Sequence, residues 1–84
     1  MADWKKENKE ICKDAAARYF IEREDNREIY WDSVYEIVDE LNAMQHKSEE
    51  PIRIVSGKLI DGQHRMLALC LSFMDSWVFT VESC

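Results

Sequence analysis

Clustered Lys and Arg are missing from this sequence, and with them the usual means of gripping nucleic acid. The formal net charge is −6, and it is unevenly spread: residues 1–50 hold 14 acids against 8 Lys plus Arg, whereas residues 51–84 hold 3 of each. The acidity therefore belongs to the N-terminal half. General nucleic-acid binding needs basic clusters that displace counterions, so no sequence-specific DNA binding is expected, and a basic protein is the better macromolecular partner. Apolar runs are short as well. The longest, Met66 to Met74, is interrupted by Ser72 and cannot cross a bilayer, which predicts no membrane insertion. The three cysteines, Cys12, Cys70 and Cys84, have no metal-ligand spacing, and no signal peptide is visible, so reduced thiols in the cytoplasm are expected. Internal repeats and low-complexity segments are absent too. What is there is enough apolar residue, 46% of 84 positions, for one small folded domain without room for a second catalytic module.

Along the chain, Trp4, Ile11, Cys12, Ala15, Ala16, Tyr19 and Phe20 predict an amphipathic helix from Asp3, its N-cap, to about Arg23. Arg27 to Trp31 reads as extended. Ser33 with Glu36 forms a capping box, and Val34, Ile37, Val38, Leu41 and Met44 supply the stripe of a second helix ending near Met44. Beyond a polar loop, Pro51 to Val55 and Lys58 to Ile60 read as strands joined by the turn signal Ser56-Gly57. Helical spacing returns from Gln63 to Met74, with apolar residues nearly all round. Such a helix needs cover on more than one side, which the sheet and the first helix, or a second copy in a homodimer, could give. A last strand places Trp77, Phe79 and Val81 on one face. The class is thus α+β: two N-terminal helices, a short β-hairpin, a third helix and a final strand.

The chemistry concentrates in Asp61-Gly62-Gln63-His64-Arg65, where a strand hands over to a helix. A helix N-terminus offers unpaired N–H groups and a positive dipole end, which together attract an anion. Gly62 lets a phosphate approach the backbone, Gln63 can donate or accept, His64 can donate or move a proton, and Arg65 matches phosphate oxygens in pairs. Asp61 could cap the helix, hold Arg65, or ligate a magnesium ion that bridges phosphates. On the residues alone, a plain turn and first helical turn is an equal alternative to a ligand site.

Asn26-Arg27, a helix containing Val34, Pro51-Ile52, and Gly57-x-Leu59-Ile60-Asp61-Gly62-Gln63-His64-Arg65-x-x-Ala68 together resemble the short ParB-like proteins of bacteriophages, over about residues 26 to 82. The same run is similar, more distantly, to the phosphate-contacting helix start of ParB partition proteins, sulfiredoxin and free serine kinases. The resemblance implies a ParB/sulfiredoxin-like core over residues 26–84 behind an acidic helix over 1–25. It implies nucleotide phosphates at Gly62, Gln63, His64 and Arg65, and work in the host bacterial cytoplasm. Sulfiredoxin carries its reactive cysteine where this chain has Gln63, so sulfinic-acid reduction is not expected, and no helix-turn-helix reader follows the motif. Whether the chain is an enzyme is left open. Phosphoryl or phosphodiester chemistry would fall to His64 as acid or base and to Asp61 on magnesium, with Glu49 and Glu50 the other carboxylates within reach.

Elsewhere, Cys12 and Cys70 read as core residues, His46 as a loop residue without a metal partner, and Trp4, Trp31 and Trp77 as core or interface. The acids Glu22, Glu24, Asp25, Glu28, Asp32, Glu36, Asp39 and Glu40 form either a solvated face or a docking surface. The docking alternative describes a non-catalytic phage protein that inhibits a host enzyme or defence system through its acidic surface.

Overall fold

A computed structural model of the chain describes residues 3–47 and 50–84. Among these residues the order is β1 (Lys5–Cys12), α1 (Lys13–Ile21), α2 (Trp31–Asn42), β2 (Ile52–Val55), β3 (Lys58–Asp61), α3 (Gln63–Leu71) and β4 (Ser76–Ser83). The strands form one mixed sheet in the order β1-β4-β2-β3. β1 runs antiparallel to β4, β2 antiparallel to β3, and β2 parallel to β4. This is an α+β fold.

The expected first helix splits in two. Lys5 to Cys12 is a strand, paired with β4 from Lys5 opposite Ser83 to Cys12 opposite Ser76. Between Trp4 and Ile11 no apolar residue occurs, so the 3.6-residue stripe starts only at Ile11, and the helix begins at Lys13 with Cys12 as its N-cap. Lys and Glu favour helix locally, but pairing with the long last strand decides the outcome. Asp3 therefore caps nothing here, and residues 1–25 are not one helix. Three lysines on β1 suit a sheet edge, where charge discourages pairing with other chains.

Helix α2 starts at Trp31, two residues before the expected Ser33 cap, and the predicted extended segment reaches only to Tyr30. Ser33 and Glu36 lie inside the helix and are exposed, so the capping box is not used. Met44 lies beyond the helix end and is exposed, at φ 56°. The hairpin forms as read, with Ser56 and Gly57 both at positive φ, the requirement of a tight two-residue turn whose twist matches its strands.

Helix α3 ends at Leu71, with the Ser72 hydroxyl donating to the Leu69 carbonyl at 2.8 Å. Most of its apolar girth is covered within the chain: α1 packs on one side through Ala15, Ala16, Tyr19 and Phe20, and α2 on another through Val34, Ile37, Val38 and Leu41, while Leu71 at its end is 47% exposed. Met66, Ala68 and Leu69 meet Ile52, Ile54, Leu59, Phe79 and Val81 from the sheet in a single core. No helix among the described residues is long and apolar enough to cross a membrane.

Cys12 is exposed at the end of β1, contrary to its expected core position, whereas Cys70 is half-buried. Burial pushes the Cys70 thiol up, away from reactivity. Trp4 and Trp31 are both exposed, and only Trp77 packs against the core.

Candidate functional site

The sheet delivers the motif to one end of the fold. β3 ends at Asp61, Gly62 turns the chain, and α3 begins at Gln63. Gly62 has φ 109° and ψ 18°, a conformation that side chains resist, and a Cβ there would stand 3.0 Å from Ile52 Cγ1. The glycine is thus required by backbone geometry and by close packing on β2. Its carbonyl accepts the Met66 N–H at 3.1 Å, the first bond of the helix. No side chain caps α3, so the expected Asp61 cap does not form. The main-chain N–H groups of Gln63 and His64 make no hydrogen bond among the described residues, as helix geometry leaves them.

Gln63 is a strut. Its side chain is fully buried; Oε1 accepts from Arg23 Nε at 2.8 Å and Nε2 donates to the Arg27 carbonyl at 2.9 Å. Arg23 is itself fixed by the Phe20 carbonyl at 2.8 Å and lies 4.1 Å over the Phe20 ring. The amide therefore ties the segment between α1 and α2 to the first turn of α3. The residue as a whole is buried and does not line the cavity that His64 and Arg65 share.

Asp61 belongs to an ion network. Arg27 forks onto Asp25, with Nε to Oδ1 at 2.8 Å and the terminal nitrogen to Oδ2 at 2.6 Å, and the same nitrogen reaches Asp61 Oδ1 at 2.8 Å. Asp25, which the sequence placed on the acidic face, is 5% exposed. The Arg27 hydrogen bonds hold its carboxyl below the usual range in spite of burial. Bonds to Asp25 and then Asp61 push Arg27 up, so it is always charged. A magnesium ion on Asp61 would share the carboxylate with that guanidinium, whose positive charge opposes it. Among the described residues no three His, Cys, Asp or Glu stand together as a metal site, and Glu49 lies outside those residues.

His64 and Arg65 lie on the first turn. The Tyr30 N–H donates to His64 Nε2 at 2.9 Å, and the two rings stack with centroids 5.9 Å apart at 9°. Burial, then the charges of Arg27 and Arg65, lowers the His64 pKa against the opposing pull of Asp25. A neutral ring accepting at Nε2 carries its proton on Nδ1, a donor. Arg65 donates to the Pro51 carbonyl at 3.3 Å and to the Glu50 carbonyl, bracing the loop before β2. Burial lowers its pKa, opposed by the charges of Asp61 and Glu50.

These residues surround one cavity of about 550 Å³. Gly62, His64 and Arg65 form its floor; Arg27, Glu28 and Tyr30 come from the segment before α2; Ile37, His46, Lys47, Glu50 and Asp61 complete the wall. His64 and Arg65 thus share a space, as the motif predicts, while the Gln63 side chain does not line it. Three cations face three carboxylates, so the sign of the site depends on the helix amides and on Arg27 neutralising Asp61.

His46, expected as a loop residue without a metal partner, is largely buried. Its side chain is 6% exposed, with Nδ1 2.9 Å from Glu40 Oε1 and the ring edge-on to Phe79. Nothing in its surroundings of Gln45 and Lys47 signals burial, because the apolar partner lies 33 positions away in β4. Arg23 and Arg27 were likewise hidden in a charged run. No protein-family model, curated protein or solved structure matches the chain.

Proposed function

We propose that this protein is a small phosphate-binding domain of the ParB-like kind, taking a nucleotide or another phosphorylated ligand at the start of α3. One observation carries the reading: an uncapped helix N-terminus, set by Gly62, opens on a cavity whose wall includes His64, Arg65, Arg27 and Lys47. An anion there would accept from the main-chain N–H of His64 and from the imidazole Nδ1–H. Arg65, partly occupied by the Glu50 and Pro51 carbonyls, contributes charge and shape. The cavity lies within the 300–1,000 Å³ typical of small-ligand sites.

The arrangement favours binding over catalysis. His64 Nε2 is held by the Tyr30 N–H and one oxygen of Asp61 by Arg27, engagements that suit positioning a ligand more than transferring its protons. The test is calorimetric titration with CTP, ATP, ADP and GTP, with and without Mg²⁺, repeated on folded Arg65→Ala and His64→Ala. Saturable binding by the wild type, weakened in both variants, supports the proposal. No binding by any of the four, with or without Mg²⁺, counts against a nucleotide.

A second reading, a protein that docks on a basic partner, draws on α2. Trp31 and Tyr35 are 51% and 56% exposed and stand 6.0 Å apart, one turn from each other, beside Asp32, Glu36 and Asp39. From Glu28 to His46 the chain has no Lys or Arg. Aromatic rings among acids suit a partner segment rich in Arg or Lys. Capture of a host protein that depends on Trp31 and Asp32, with no phosphate bound, would favour this reading.

A further inference from the structure

Strand β1 is a long, regular sheet edge with no strand on its outer side among the described residues. It pairs with β4 over eight consecutive positions without a register shift, and it contains neither proline nor glycine. The opposite edge is closed by contrast: β3 has four residues, and its Leu59 carbonyl accepts the Glu24 N–H at 2.9 Å. Every residue of β1 from Lys5 to Glu10 is exposed, and its outer row of N–H and C=O groups finds no ladder partner among the described residues. Charge alone guards this edge, and the charge has a pattern. Reading outward from Asn8, Glu7 on one side answers Lys9 on the other, and Lys6 answers Glu10.

We propose that a second copy of this chain docks on this edge, β1 against β1 in antiparallel order, with the two Asn8 residues opposite each other on a two-fold axis. Main-chain groups alternate in direction along a regular strand, so a strand paired with its own copy sets residues of like parity opposite one another, and the axis falls on a residue. The residue on the axis then faces itself. Asn8 is the one uncharged residue from Lys5 to Glu10, so every other centre in this stretch sets like charges together. The Asn8 register sets Lys6 against Glu10 and Glu7 against Lys9, each twice by symmetry. Asn8 and Glu10 share a face with Thr80 and Ser76, whose hydroxyls donate to Asn8 Oδ1 at 3.0 Å and to Glu10 Oε2 at 3.2 Å. Glu7 and Lys9 alternate to the other face, so the ion pairs divide between the two. The charges that repel other strands thus admit this one, while main-chain hydrogen bonds supply the affinity. The dimer joins two four-stranded sheets into one and leaves β3, the edge that carries the motif, outermost. It stands independently of the phosphate-site reading.

Sedimentation velocity from micromolar to millimolar protein should show a monomer–dimer equilibrium. Lys6→Glu/Lys9→Glu and Glu7→Lys/Glu10→Lys should each self-associate at least about tenfold more weakly than wild type. Their equimolar mixture should dimerise again, since every facing pair is once more of opposite sign, and that recovery also shows that both variants fold. The register is read by oxidation of Asn8→Cys and of Lys6→Cys, each made with Cys12→Ser and Cys84→Ser. The two copies of Asn8→Cys lie within disulfide reach and should cross-link, whereas those of Lys6→Cys, four residues or roughly 13 Å apart, should not. A wild type that stays monomeric throughout, a dimer that both charge variants retain, a mixture that fails to recover, or equal cross-linking at the two positions would overturn the proposal.

Discussion

The main-chain N–H of Tyr30 donates to the imidazole Nε2 of His64 across 34 positions of sequence, at 2.9 Å, beneath stacked rings. This contact supplies what a Ser33 capping box would otherwise give, an anchor for the start of α2, and it joins that start to the first turn of α3. A protonated imidazole cannot accept the bond.

A pH dependence follows. The folded-state pKa of His64 lies below the ordinary 6.5, so as pH falls the unfolded chain takes up the proton first. The contribution of His64 is fully present above about pH 6.5 and shrinks as pH drops through the window beneath it. Urea denaturation should show wild type losing stability from pH 7 to 5.5 more steeply than His64→Gln, which keeps an acceptor but does not titrate. Parallel profiles would contradict the neutral-acceptor assignment.

Replacing Arg27 with Ala strands the buried Asp25 carboxylate and removes the partner of Asp61. The loss should be about 2–4 kcal/mol, most of it from the uncompensated buried charge. Because Asp25 is held below its usual pKa, its stabilisation in the wild type is present above about pH 4 and is lost as pH falls through the lowered value. Chemical denaturation of Arg27→Ala and of Arg27→Ala/Asp25→Asn decides the matter: the double variant should recover part of the loss.

Gly62→Ala combines a positive φ with a 3.0 Å approach to Ile52 Cγ1. A cost of about 1–3 kcal/mol is expected from the strain alone. The accompanying fall in Tm should be several degrees per kcal/mol in a domain of this size. A melting temperature unchanged within a degree would mean that α3 starts differently.

Ser56 occupies the first centre of the hairpin turn at φ 51°, a conformation Asn tolerates better. Ser56→Asn should raise stability by about 0.5 kcal/mol without altering ligand binding, since the turn lies at the far end of β2 and β3 from Gly62. Thermal melts of the two proteins suffice.

The parts of the fold governed by local rules could be read directly. Ser56-Gly57 between two β-branched, apolar segments carries its turn in the dipeptide, and the step from Ile60 to Gly62 marks the strand-to-helix handover. β1 could not be read in this way, because Lys5 to Glu10 has no apolar periodicity of its own and becomes a strand only against β4. The same holds for α2, whose start is fixed by His64, a residue no local pattern connects to Tyr30. At the site, the motif pointed to Gly62, His64 and Arg65, which line one cavity. The inward role of Gln63 was invisible since its partners, Arg23 and the Arg27 carbonyl, lie 36 to 40 positions away. His46 was missed for a related reason: burial came from Phe79 and a partner from Glu40, neither visible in the polar loop around it.

The claim that the start of α3 receives a phosphate is tested most directly by ¹⁵N–¹H NMR during titration with n-propyl phosphate. The main-chain resonances of Gln63, His64 and Arg65 should move together and saturate, well ahead of those near the exposed lysines of β1. Shifts confined to Lys5, Lys6 and Lys9, or linear drift without saturation at α3, would contradict it.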